Sequence, residues 1–238
     1  MPLEYIATRP FWKIKGMTNW EIIEQGIREK KITEQGILEQ HFTTSCKLHT
    51  AGNHYYKLSR IVPTKRITDL PIKIVEGQIV YPNIIEFSIK AEEYLEELDG
   101  FIYSLRGCLD SFLWEFNIIF KLGFKRISYW DVKDAMKKTH GNKETAKLLE
   151  KLENDDWFLY LNDLRNELTH HTLFDISAFT EDLMICLPSN PIGGIYIKEE
   201  KYKILTRLKT LREKTLEFLE NGYEAIIVDL NLRTVESK

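Results

Sequence analysis

The sequence predicts a predominantly α-helical protein, built as a helical bundle with minor β-hairpin additions. The strongest observation is an apolar stripe whose steps alternate four and three residues, a spacing typical of a helix that packs against other helices. The stripe runs along a predicted helix from about Asn83 to Leu122 and comprises Ala91, Leu95, Leu98, Ile102, Leu105, Leu109, Phe112, Phe116 and Ile119. Four shorter helical patterns follow, over residues 128–139, 142–153, 155–171 and about 200–226.

Near the N-terminus, Thr18 and Glu21 have the spacing of a helix-capping box. This predicts a helix that could continue, with a break at Gly36, towards His49. The pair Gly52-Asn53 then predicts a turn, because both residue types favour turns over helix interiors.

The remaining non-helical segments contain the predicted hairpins. Ile72–Val75 and Gln78–Tyr81 flank Glu76-Gly77 in a β-hairpin pattern. Two short apolar runs over residues 181–199 indicate a second small hairpin or an irregular excursion. We therefore predict an N-terminal extension over residues 1–82, a helix plus an irregular or hairpin segment, packed on a helical core at residues 83–238.

Composition limits the classes of protein that fit. The chain has 238 residues, 43% hydrophobic and 29% charged, which is ordinary for a globular protein. Its three cysteines are far apart and odd in number, which favours a reducing compartment over a disulfide framework. The start of the chain lacks the pattern of a signal peptide, and no apolar run approaches the roughly 20 residues of a membrane span. A cytoplasmic protein with no membrane partner is expected.

The net charge of −3 means that any nucleic acid would have to bind at a local basic surface. Residues 121–151 contain nine lysines and arginines against four acidic residues. This stretch could steer RNA, or it could form two ordinary solvated helix faces, and the sequence leaves both interpretations open. Tyr129 and Trp130 could stack on bases, but burial is the expected state of both.

The segment with the most chemical content is the helix predicted from Asp155 to His171. With Trp157 placed at zero and about 100° per residue, Trp157, Leu161, Leu164 and Leu168 fall on one face, which is the predicted core stripe. Asn166 falls opposite that stripe. Arg165 and His170 lie on either side of Asn166, and Asn162 and Thr169 are on the same outer half of the helix.

One such helix confines a substrate poorly, whereas two copies facing each other across a two-fold axis would form a cleft. Arginine provides a charged fork for phosphate oxygens, and histidine exchanges protons near neutral pH. RNA supplies its own nucleophile, the 2′-OH, so this chemistry requires neither a metal nor a cofactor. The pattern therefore favours a homodimer that acts on RNA or a nucleotide.

Arginine, a polar residue, three further residues and histidine near the end of a helix resemble the signature of the HEPN superfamily. Arg106-Gly107-Cys108-Leu109-Asp110 on the long preceding helix also resembles stand-alone bacterial members. The resemblance covers roughly residues 83–230. Family members are bundles of four or five helices that usually dimerise, and many are metal-independent ribonucleases of toxin–antitoxin, phage-defence or RNA-processing systems.

The resemblance implies a HEPN-like bundle over the predicted core and catalytic roles for Arg165 and His170, with Asn166 at the polar position. Asn162, Thr169, Arg106 and Asp110 are candidate substrate-binding residues, and an antitoxin or other protein is a further candidate partner. Three alternatives stay open. The chain could be a non-catalytic HEPN module that binds nucleotide, RNA or protein. It could also be a helical scaffold whose motif is a solvated helix face. Separately, Arg106 and Asp110 could form a simple intrahelical ion pair.

Metal binding is not predicted. His41, Cys46, His49 and His54 form a loose cluster, but zinc needs about four convergent ligands and this spacing fits no closed site.

Overall fold

The structure is a computed structural model. It describes residues 19–29, 36–60, 73–75, 78–80, 84–170, 175–179, 183–186 and 204–232. Side chains are described within these ranges except on the four strands and at residues 84–92, 94, 95, 167–170 and 204.

The described residues form seven helices and two short antiparallel hairpins. The helices are α1 (Asn19–Arg28), α2 (Ile37–Leu58), α3 (Ile84–Ile119), α4 (Tyr129–His140), α5 (Glu144–Leu152), α6 (Asp156–His170) and α7 (Ile204–Asp229). Strands β1 (Lys73–Val75) and β2 (Gln78–Val80) pair with Lys73 opposite Val80, and strands β3 (Asp175–Phe179) and β4 (Leu183–Cys186) pair with Asp175 opposite Cys186. The predicted predominance of helix is therefore confirmed.

The helical predictions agree with the structure closely, except at one place. Helices α3 to α7 lie where the sequence predicts them, with ends that differ by a few residues. The predicted turn at Gly52-Asn53 is wrong, because α2 continues through both residues. Ala51 and Leu58 are completely buried on either side of the pair, and this packing outweighs the local preference for a turn.

The first hairpin lies at the predicted position. The second begins at Asp175, ahead of the predicted segment, and residues 187–203 lie outside the described residues. Thr18, the predicted cap of the first helix, also lies outside them.

The chain divides into two compact units, each assembled from segments that are distant in sequence. The first unit comprises Met1–His49, Gly107–Phe158 and Lys214–Lys238, and the second comprises Thr50–Arg106 and Leu159–Glu213. The predicted boundary after residue 82 stays a prediction.

Helix α3 provides the centre of the first unit. Between Cys108 and Asn117 all residues but Asp110 and Trp114 are buried, which is the pattern of a helix surrounded by others. Phe112 packs against Phe116, Phe218 and Tyr223, with ring centroids 4.6 to 5.9 Å apart. The alternating apolar stripe predicted the buried phenylalanines, and their burial is confirmed.

A buried polar network crosses this apolar core. The carboxyl group of Glu115, completely buried, accepts hydrogen bonds from Thr44 Oγ1 (2.6 Å) and from the hydroxyl of Tyr223 (2.9 Å to Oε2). The same hydroxyl lies 2.7 Å from Nδ1 of His41, whose ring stacks on Trp20 at a centroid distance of 3.5 Å. Burial raises the pKa of Tyr223, and the neighbouring Glu115 raises it further, so the phenol stays a neutral hydrogen-bond donor. Buried polar groups cost free energy unless they are paired. The network therefore favours the one packing of helices α1, α2, α3 and α7 in which these groups meet.

The connection from α3 to α4 is fixed by its own hydrogen bonds. Asn117 donates from Nδ2 to the Phe124 carbonyl (3.1 Å) and accepts the Phe124 N–H at Oδ1 (3.0 Å). Lys121 and Gly123 both have positive φ angles, 53° and 81°, a conformation that ends helices and favours glycine. Ser128 then caps helix α4 by accepting the Asp131 N–H.

Helix α5 is capped by a residue from another helix. The carboxylate of Asp229, at the end of α7, accepts hydrogen bonds from the N–H groups of Glu144 (2.8 Å) and Thr145 (2.9 Å) and from the Thr145 hydroxyl (2.6 Å). Lys143 also donates to the Asp229 carbonyl (2.8 Å). The cap supplies acceptors that the first turn of a helix cannot supply for itself.

Candidate functional site

The buried side of helix α6 agrees in part with the predicted core stripe. Leu161 (0% exposed) and Leu164 (6%) are buried as predicted. Trp157 is only half-buried and is therefore not the full core residue that was predicted, whereas its neighbour Phe158 (1%) is buried. The indole stays at the edge, where its N–H donates to the Asp155 carboxylate at 3.3 Å.

The outer side of α6 presents the motif residues. Asn166 is exposed and Arg165 is half-buried beside it, with Nη1 of Arg165 3.4 Å from the Asn166 Oδ1 that accepts its hydrogen bond. Leu159 precedes Asn166 by seven residues, about two turns, and therefore lies on the same side of the helix. Leu159 is 41% exposed and gives this polar face an apolar member.

The rest of the motif continues on the same helix. The backbone of α6 is helical through Thr169 and His170, and the side chains of both lie outside the described residues. At about 1.5 Å per residue, the backbones of Arg165 and His170 are roughly 7.5 Å apart along the axis. Asn162 is half-buried one turn before Asn166. The structure thus brings Asn162, Arg165 and Asn166 to one part of one helix.

For the two candidate substrate-binding residues on α3, the structure gives their positions along that helix. Arg106 and Asp110 are one turn apart, both are half-buried, and both take part in polar interactions. Their assignment to substrate binding stays a prediction.

An arginine that sequence reasoning did not single out lies against helix α6. The guanidinium of Arg207, on α7, lies 4.5 Å from the ring centroid of Tyr160, which is a cation–π contact between the two helices. No spacing rule predicts this pair, because the two residues are 47 positions apart in sequence.

The loose histidine and cysteine cluster on α2 does not converge. His41 is buried in the network of the first unit, while Cys46 and His49 are exposed. In the second unit, Nδ1 of His54 lies 2.6 Å from the Glu97 carboxylate, which also accepts from Lys57 at 2.6 Å. Burial raises the pKa of Glu97, but these two hydrogen bonds outweigh it and the net shift is downward. Within the described part of the chain, no group of three or more histidine, cysteine or acidic residues could hold a metal ion.

No family profile, curated protein or solved structure matches this chain. None of the described helices is long and apolar enough to cross a membrane.

Proposed function

We propose that the protein is a HEPN-type, metal-independent endoribonuclease that acts as a homodimer. The observation that carries the proposal is the placement of Arg165 and Asn166 on the outer side of helix α6. Leu161 and Leu164 bury the opposite side, and the helix continues unbroken to His170. A HEPN-like bundle over residues 83–238 is part of the same proposal, and the predominance of helix is consistent with it.

The proposed dimer places the outer sides of two α6 helices against each other across a two-fold axis. The exposed Leu159 supports this arrangement, because an apolar side chain two turns from Asn166 would be buried by a facing copy. Each copy contributes one Arg165 and one His170 to the shared cleft, so the site is incomplete in a single chain.

In the proposed reaction the 2′-OH of RNA attacks the adjacent phosphorus atom. His170 accepts the proton of the hydroxyl as the new P–O2′ bond forms. The P–O5′ bond then breaks, the leaving 5′ oxygen takes up a proton, and the other product ends in a 2′,3′-cyclic phosphate. Arg165 stabilises the charge on the phosphorane oxygens, and Asn166 orients the phosphate.

Cleavage of a mixed-sequence single-stranded RNA, with EDTA present, tests the chemistry. We expect His170→Ala to lower the rate constant by about 10²- to 10⁴-fold, the usual contribution of a general acid or base. Arg165→Lys keeps the charge but loses the planar fork and should also be impaired. The matched control is His49→Ala, which removes an exposed histidine from α2. Equal cleavage by His170→Ala and His49→Ala, or a requirement for metal, would contradict the mechanism.

Light scattering at micromolar concentration tests the dimer. We expect a mass of about twice 28.1 kDa for the unaltered chain and a monomer for Leu159→Glu, because a buried unpaired carboxylate on each facing helix is unfavourable. Val228→Glu is the control, since Val228 is also exposed, at 47%. A monomeric unaltered chain would contradict the composite site.

The alternative is a non-catalytic HEPN module that binds nucleotide, RNA or a protein such as an antitoxin. RNA binding without cleavage, unchanged in His170→Ala, would favour this alternative.

A further inference from the structure

The loop between α3 and α4 carries a positively charged surface of the first unit. No acidic residue occurs between Glu115 and Asp131, whereas Lys121, Lys125 and Arg126 fall in this interval. All three cations are exposed, and none has an ion-pair partner among the residues that the structure describes. They contrast with Lys133, Lys137 and Lys147 on the following helices, which pair with Glu153, Glu150 and Glu144 at 2.7 to 2.9 Å.

The backbone of this loop is held in place before any ligand binds. Asn117 hydrogen-bonds both backbone groups of Phe124, and the positive φ angles of Lys121 and Gly123 set the path of the chain. Ser128 fixes the far end as the cap of α4. A preorganised cationic loop loses little conformational entropy on binding a polyanion.

An exposed indole lies at the end of the loop. Trp130 is 49% exposed, although the sequence predicted its burial, while its neighbour Tyr129 is buried at 2%. Tyr129 occupies the core position and donates to the Leu149 carbonyl, so the next residue on helix α4 faces outward. Trp130 follows Arg126 by four residues, and Nζ of Lys133 lies 4.7 Å from the centroid of its ring. An exposed indole and unpaired cations are the two elements that bind single-stranded nucleic acid, because they offer a stacking surface and charges for phosphates.

We infer that Lys121, Lys125, Arg126 and Trp130 form a binding surface for single-stranded RNA. The cations contact phosphates, and the indole stacks on a base. The surface lies wholly within the first unit and its binding does not require the proposed reaction. It would hold RNA with little sequence preference, because every base has a face for stacking.

The salt dependence of binding provides a quantitative test. Affinity for a fluorescent oligouridylate is measured with the His170→Ala protein, so that cleavage cannot interfere. For single strands, log Kobs falls with log salt by about 0.7 per phosphate neutralised, so three cations predict a contribution of about −2 to the slope. Lys125→Gln with Arg126→Gln should make the slope less steep by about 1.4. The control, Lys209→Gln with Lys214→Gln, removes the same charge from exposed ion pairs on α7 and should leave the slope almost unchanged.

The stacking contribution is tested separately. Trp130→Ala should weaken binding by roughly 5- to 150-fold without changing the slope, because alanine substitution at a stacked base costs about that much. Trp130→Phe should retain most of the affinity. Far-UV circular dichroism of both variants should match that of the unaltered chain, since the indole is largely outside the core.

Three outcomes would overturn the inference. These are no oligouridylate binding at 50 mM salt, binding that the loop and Trp130 variants leave unchanged, and binding of anionic phosphatidylserine vesicles in place of RNA. These outcomes do not decide the proposed nuclease activity, because that activity is tested by RNA cleavage and by the His170→Ala variant rather than by binding at this loop.

Discussion

The hydroxyl group of Tyr223 provides a sharp test of the buried network, because removing it leaves two buried partners without their hydrogen bond. The perturbation is Tyr223→Phe, which keeps the ring and its contacts with Phe112 and Trp20. It deletes the donor to Glu115 at 2.9 Å and the contact with His41 at 2.7 Å. Because Tyr223 is completely buried, water cannot take the place of the lost hydroxyl.

The expected magnitude follows from these two contacts. A hydrogen bond that involves a charged group contributes about 1.5–3 kcal/mol, and a buried polar group left unpaired costs about 1–3 kcal/mol. The two effects overlap, since Glu115 keeps the hydrogen bond from Thr44 at 2.6 Å. We therefore expect Tyr223→Phe to lower the free energy of unfolding by about 3 kcal/mol.

Urea unfolding followed by far-UV circular dichroism measures this loss, with linear extrapolation to water. The matched control is Tyr56→Phe, which deletes the hydroxyl of a tyrosine that is 52% exposed and should cost less than about 0.5 kcal/mol. In a double-mutant cycle, Tyr223→Phe with Glu115→Leu should lose at least about 1 kcal/mol less than the sum of the single variants. A loss for Tyr223→Phe equal to that of Tyr56→Phe would refute the reasoning.

Three further predictions concern stability. Asp229→Ala should lower the free energy of unfolding by about 1–2 kcal/mol in the same urea assay, because it removes the cap of helix α5, and an unchanged value would contradict the role of the cap. Gly222→Ala should destabilise by about 1–3 kcal/mol despite the better helix propensity of alanine, because a Cβ atom there would lie 2.4 Å from the ring of Phe112; a stabilised variant in thermal unfolding would contradict this. Burial raises the pKa of Cys108 and of Tyr223, so the unfolded chain releases protons that the folded chain retains, above about pH 9 from the thiol and above about pH 10 from the phenol. Stability then falls by up to about 1.4 kcal/mol per pH unit for each group. In urea titrations from pH 8 to 11, Cys108→Ala should show a shallower decline between pH 9 and 10, and identical curves would count against the assignment.

The fold was predictable where its cause is local or periodic. The stripe on α3 predicted Phe112 and Phe116 as core residues, since a helix with that spacing must bury it. Gly52 was mispredicted because propensity favoured a turn while burial of Ala51 and Leu58 favoured helix. Trp130 was mispredicted for a similar reason, as hydrophobicity alone does not show which of two adjacent aromatic residues occupies the core position.

Of the candidate site, the sequence predicted only which face of helix α6 is buried and which is exposed. The periodicity of α6 identified Leu161 and Leu164 as buried and Asn166 as exposed, and these predictions are confirmed. The composite cleft depends on a second copy, which no periodicity within one chain can specify. Glu115 has the sequence appearance of a solvated carboxylate, because its partners Thr44 and Tyr223 lie 71 and 108 positions away.

Those separations have a consequence for synthesis on the ribosome. The hydrogen bond between His41 and Tyr223 spans 182 positions, so the polar network cannot close until α7 has left the exit tunnel. Until then, Glu115 and His41 lack their contacts with the Tyr223 hydroxyl, so the polar network of the nascent core is incomplete. Folding of the first unit should therefore wait for α7 and be slow for a helical protein, because long-range closure rather than helix formation sets its rate.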